Sequence, residues 1–148
     1  MEVKSLFDPA VKQEIIDRIN KLTPQSQRQW GKMDVSQMLA HLQKPLNYCF
    51  GNHQLQGNFI MNLIGPLFKA VLYNEKPYKQ GLPTDKTYIV SDAREFEKEK
   101  QQLLDLLNRF SESSILDAPH PVFGKLTKEQ WSKATWKHLD HHLKQFGV

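Results

Sequence analysis

Apolar residues recur at helical spacing in four stretches of the chain, each introduced by a residue that caps helices. Asp8-Pro9 pairs an N-cap with a proline at the first helical position, and Val11, Ile15, Ile19 and Leu22 follow on one face. This helix is expected to end near Thr23-Pro24. Asp34 opens the second, with Gln37 completing a capping box and Val35, Met38, Leu39, Leu42, Leu46 and Cys49 facing inward. Ser91-Asp92, with Glu95 as box partner, predicts the start of the third, which carries Phe96, Leu103, Leu107 and Phe110. Thr127 with Gln130 opens the last, which continues almost to the C-terminus.

Between the second and third of these lies Phe59 to Tyr73, apolar nearly all round. That pattern predicts an additional, well-covered helix, kinked or broken at Gly65-Pro66. Glu75 to Val90 is rich in turn formers, with a short extended piece expected at Thr87 to Val90. Ser111 to Gly124 reads as loop. Four amphipathic helices without a convincing sheet predict an all-α fold, a helical bundle spanning residues 1–148 as one domain.

The last helix adds chemistry to this pattern. His138-Leu139-Asp140-His141-His142 holds three of the six histidines of the chain. On a wheel with Trp131 at zero, His138 falls at about 340 degrees and His142 at about 20 degrees, mid-stripe on the apolar face. Lys133, Lys137, Asp140 and Lys144 take the opposite arc, and His141 the boundary at about 280 degrees. Two inward imidazoles need polar partners, and a metal, a carboxylate or a carbonyl would serve. A catalytic zinc-type site wants a third protein ligand, and in a bundle it comes from a facing helix. His41 is the candidate, at the margin of the second helix's stripe, with the alternative that it is a boundary residue bonded to water or backbone. Tyr48, seven residues on, projects in nearly the same direction. Pro45 removes the usual helical donor to the His41 carbonyl. His53 is expected to be solvated, Cys49 to be a small core residue, and Trp131, Trp136 and Phe146 to serve packing.

Composition narrows the function classes. The chain has 39% hydrophobic and 24% charged residues, ordinary for a globular domain, and a formal net charge of +4 spread among acidic residues. No basic stripe or nucleic-acid module stands out, so no nucleic-acid partner is expected. No apolar run reaches the ~20 residues of a spanning helix, so no membrane partner is expected. A single cysteine and the lack of a signal-type segment predict a cytoplasmic protein.

Three separated segments carry a family resemblance. Trp136 to Gln145 with its lead-in His120-Pro121-Val122-Phe123-Gly124-Lys125-Leu126-Thr127, then Trp30-Gly31-Lys32-Met33, and then Gln37 to Leu42, resemble the DinB/YfiT-like superfamily in the expected order. The whole chain is similar to a subfamily catalogued as domain of unknown function 1569. The resemblance implies a four-helix bundle of up-down-down-up type with a metal held by one histidine of helix two and an H-x-x-x-H pair of helix four. Those positions are His41, His138 and His142, with His141 pointing aside. It also implies metal-dependent hydrolases, or transferases and isomerases that use low-molecular-weight thiols; no substrate transfers.

Two functions of different class are expected from these residues. In the first, zinc or nickel sits on three neutral imidazoles with an open coordination position, and a small-molecule substrate or a low-molecular-weight thiol is activated there. Gln145, Tyr48 and His141 are the polar groups expected near such a pocket. No H-E-x-x-H carboxylate marks a general base, so no catalytic side chain is assigned. In the second, the chain is a non-catalytic helical module that binds an apolar ligand or forms a homodimer through Phe59 to Tyr73, its histidines structural. Haem ligation by the pair is excluded by its i,i+4 spacing, which cannot reach both axial positions of one iron.

Overall fold

The computed structural model describes residues 1–55 and 59–148, the residues from 59 to 62 by their backbone alone. The described elements are α1 (Pro9–Asn20), α2 (Val35–Cys49), α3 (Phe59–Phe68), α4 (Phe96–Arg109) and α5 (Lys128–Gln145), with short 3-10 turns at Lys69–Leu72, Lys86–Tyr88 and Glu112–Ser114. Among the described residues there is no strand, only an isolated bridge between His120 and Gly124. The fold is all-α. No described helix is long and apolar enough to cross a membrane.

Local chemistry sets the helix starts. Asp8 accepts from the amide of Ala10, and both expected capping boxes form, Asp34 with Gln37 and Thr127 with Gln130. The start of α4 differs from expectation. It begins at Phe96 with no side-chain cap, because the Asp92 carboxylate pairs with Arg94 at 3.0 Å instead of capping the helix. α1 ends at Asn20, short of Thr23-Pro24.

The apolar stripes meet in one core. Ile15 and Ile19 of α1, Met38, Leu39, Leu42 and Leu46 of α2, Leu103 and Leu107 of α4 and Leu139 and Leu143 of α5 are all buried in it. α2 packs on α4 and α5, and α1 packs on the same two helices. His41 meets His138, while Tyr48 meets Trp131 seven residues earlier on α5, so α2 and α5 run antiparallel.

The polar arc of α5 is only partly solvated: Lys144 is exposed and Lys133 half-exposed, but the middle of the arc is covered. Lys137 is 1% and Asp140 4% exposed. Chain segments distant in sequence fold over that side of the helix. The turn after α3 wraps Lys137, whose Nζ donates to the carbonyl oxygens of Val71 (2.7 Å) and Asn74 (2.9 Å) and to Asn74 Oδ1 (2.9 Å). Three acceptors use all three ammonium protons, although burial pushes the amine down to about 8. On another side, Arg18 of α1 covers Asp140, and its guanidinium also reaches the carbonyl oxygen of Val148 at 2.9 Å.

The segment expected to be well covered is not. Leu63 is 69%, Leu67 81% and Phe68 58% exposed, with Ile64 and Val71 exposed beside them. α3 touches the protein along its small residues. A Cβ on Gly65 would collide with the carbonyl of Val122, and Pro66 packs near Gly124. Proline does not break the helix where it stands; α3 continues to Phe68 before tightening into the 3-10 turn. Thr87-Tyr88 forms a 3-10 turn rather than an extended piece, its amide capped by Asp85. Ser111 to Gly124 is loop apart from the turn at Glu112–Ser114 and the 120–124 bridge.

Candidate metal centre

α2 and α5 bring His41, His138 and His142 together, with one nitrogen from each lying within 4.8 Å of the others. The i,i+4 spacing stacks the two α5 rings, whose centroids are 4.8 Å apart at 86°. His41 enters from the facing helix, fully covered, with Nε2 3.0 Å from Nε2 of His138. Its position at the stripe margin suits this, since α5 packs on that edge of α2.

Hydrogen bonds decide which nitrogens face the cluster. His41 Nδ1 lies 2.9 Å from the carbonyl oxygen of Tyr88, which can only accept, so Nδ1 carries the proton and Nε2 presents a lone pair. Gln145 does the same for His142. Its Nε2 donates to the carbonyl oxygen of Trp30 at 2.7 Å, which leaves Oε1 to accept from His142 Nδ1 at 2.8 Å. His142 Nε2 is therefore also unprotonated. Burial reinforces this neutrality. It pushes His41 down, takes His142 to about 3, and holds His138 well below the ordinary imidazole range, each lowered further by charged or imidazole neighbours.

The other expected site residues separate. Gln145 stands at the cluster. His141 turns aside, its ring 5.1 Å from that of His142 and flanked by Trp30 (5.8 Å) and Tyr78 (5.7 Å). A cleft lined by Trp30, Tyr78, Lys137 and His141 opens there, with a volume of about 160 Å³. Tyr48 shares the direction of His41 but lies about 10 Å farther along the helix axis. It packs on His120 (5.2 Å) and Trp131 (5.7 Å). Tyr48 also borders a second cleft with Cys49, His53 and Trp131, of about 200 Å³. Cys49 is buried, and its thiol is pushed up to about 12, as a core residue requires. Trp131, Trp136 and Phe146 are buried packing residues, although the indole N–H of Trp136 has no partner among the described residues.

His53 is half-buried rather than solvated. Its Nε2 lies 2.8 Å from Thr87 Oγ1, which donates to Asp85 at 2.6 Å. The same turn thus holds His53 through a side chain and His41 through a carbonyl. Sequence reasoning missed Tyr88, because a backbone carbonyl leaves no mark in a residue pattern. It also missed the role of His120, whose Nδ1 accepts from the amides of Val122 (3.0 Å) and Phe123 (3.1 Å).

No curated protein and no solved structure matches the chain. The sequence profile described as "Protein of unknown function (DUF1569)" matches residues 4–147, and the chain belongs to that family.

Proposed function

We propose that the protein is a metal-dependent enzyme of the hydrolase or thiol-dependent S-transferase type, with His41, His138 and His142 as the ligands of a divalent ion. The observation that carries this reading is the pair of enforced tautomers. Two Nε2 lone pairs, on buried His41 and half-buried His142, converge on His138 in a group that, among the described residues, holds no carboxylate. A His138 Nε2–H can donate to His41 Nε2 across 3.0 Å, whereas a cation would take up the lone pairs of all three rings at once. Zinc and nickel suit an imidazole donor set. His41, His138 and His142, with one nitrogen from each within 4.8 Å of the others, would hold such an ion. A metal so held lowers the pKa of bound water to about 7, or keeps a substrate thiol as thiolate.

The chain's own contribution is to keep the rings neutral and aimed. Tyr88 and Gln145 hold the outer protons, and burial disfavours protonation of the inner nitrogens. Three neutral ligands leave the ion its full charge. A small-molecule substrate would reach the cluster from the partly exposed side of His138 and His142, since the cleft of Trp30, Tyr78 and His141 is lined by none of the three ligands. The packing of α1, α2, α4 and α5 around one core, with the ligands on α2 and α5, supports the finer reading of a DinB/YfiT-like four-helix bundle.

Metal analysis of protein purified without a polyhistidine tag tests the proposal. Stoichiometric zinc or nickel is expected, lost in both His41→Ala and His138→Ala while helix content is kept. Equal metal content in the wild type and both variants rejects it.

The exposure of α3 favours a second proposal, a homodimer through Leu63, Leu67, Phe68 and Val71. These side chains offer on the order of 500 Å² of apolar surface, a large part of the roughly 800 Å² each partner buries in a standard interface. Sizing across a dilution series is expected to show a dimer that Leu67→Asp converts to monomer. A dimer that survives this charge is built on another surface.

A further inference from the structure

The Trp30-Gly31 pair stands outside every helix, yet it contacts the last turn of α5 at several points. The amide of Gln29 donates to the carbonyl oxygen of Gln145 at 2.8 Å, the Trp30 carbonyl accepts from Gln145 Nε2, and the Trp30 ring packs on His141. Gly31 makes this approach possible. It adopts φ +82°, and a Cβ there would lie 2.5 Å from Gln145 Nε2. Arg28 Nε closes the turn on the Gly31 carbonyl at 3.0 Å.

A free glutamine amide could present either end to an imidazole. Here the Trp30 carbonyl accepts only, so it fixes the amide with Oε1 toward His142. That oxygen in turn takes the Nδ1 proton and leaves Nε2 as the lone pair facing His41 and His138. We propose that the 29–31 segment is a brace for the three-histidine cluster, with Gln145 and Gly31 as positioning residues that set the tautomer and ring orientation of His142, and through them the affinity for a divalent cation. The affinity part rests on the metal reading above; the tautomer part does not.

Two measurements on the full chain separate these parts. In the metal-free protein, nitrogen NMR of the histidine rings is expected to show His142 protonated at Nδ1, with mixed tautomers in Gln145→Leu and Gly31→Ala. Zinc affinity, read by competition with a chelator, is expected to fall about 10- to 100-fold in Gln145→Leu, as for lost outer partners of metal ligands elsewhere. Gln145→Glu keeps an acceptor for Nδ1–H but sets a carboxylate oxygen against the Trp30 carbonyl, so it is expected to restore the Nδ1–H tautomer of His142 while recovering only part of the affinity, a split that a purely structural role for residue 145 would not produce. In Gly31→Ala the clash falls on the end of a flexible side chain, so the variant is expected to fold and still bind zinc more weakly. An unchanged His142 tautomer in Gln145→Leu overturns the brace. So does zinc affinity within twofold of a zinc-binding wild type. If the wild type binds no zinc but the tautomer shifts as expected, the brace stands and the metal reading fails.

Discussion

Asp140→Ala is expected to destabilise the protein by about 3–5 kcal/mol, the cost of leaving a partner charge buried and unpaired. The Asp140 carboxylate accepts from Arg18 Nη1 at 2.9 Å and from Lys144 Nζ at 2.8 Å, with the carboxylate and the guanidinium both largely covered. Without it, the guanidinium that bridges α1, α5 and the Val148 carbonyl retains its charge among backbone groups. In a chain of this size the loss corresponds to a fall in Tm of about 10 °C or more. Asp140→Asn keeps an acceptor for Arg18 and is expected to lose roughly half as much. Chemical denaturation of the three proteins checks this. A loss under about 1 kcal/mol in Asp140→Ala would place the pair among ordinary surface bridges and refute the role given to it here.

The second large effect is on acid stability, through His120. Its Nδ1 already accepts two backbone N–H groups, so a proton can be added there only by breaking both. Burial takes its pKa down to about 4, with Asp85 pulling weakly the other way. The folded state therefore binds this proton less readily than the unfolded state, where an imidazole titrates near 6.5. The stabilisation is complete above about 6.5, declines as pH falls, and is lost by about 4, amounting to about 3 kcal/mol over the window. His120→Asn retains an acceptor for the Val122 and Phe123 amides without a titrating group. Its stability is expected to fall less steeply than that of the wild type between pH 6.5 and 4, by that amount. Parallel stability curves for the two proteins across that range would show that His120 is not the responsible group.

Much of the site was legible because its geometry is local. His138 and His142 are four residues apart on one helix, and the wheel alone turns both inward. The caps at Asp34 and Thr127 were legible for the same reason, each involving residues three positions apart. The cover over Lys137 and Asp140 was not legible, because their partners lie 66 and 122 positions away and a wheel cannot tell a solvated arc from one covered by distant chain. For α3 the error ran the other way. Apolarity all round signals a need for cover, but it does not say that the same chain supplies it. His41 fell between these cases: its residue type and register marked it, while the Tyr88 carbonyl that fixes its tautomer had no signature to find.

The 97-residue separation between His41 and His138 has a consequence for biosynthesis. While the ribosome is still extending the chain beyond α4, His41 is exposed on a nascent helix with neither companion in reach. The three-histidine cluster can then close only once α5 has emerged and docked against α2. An ion that needs all three rings would therefore meet docked helices rather than a lone growing segment.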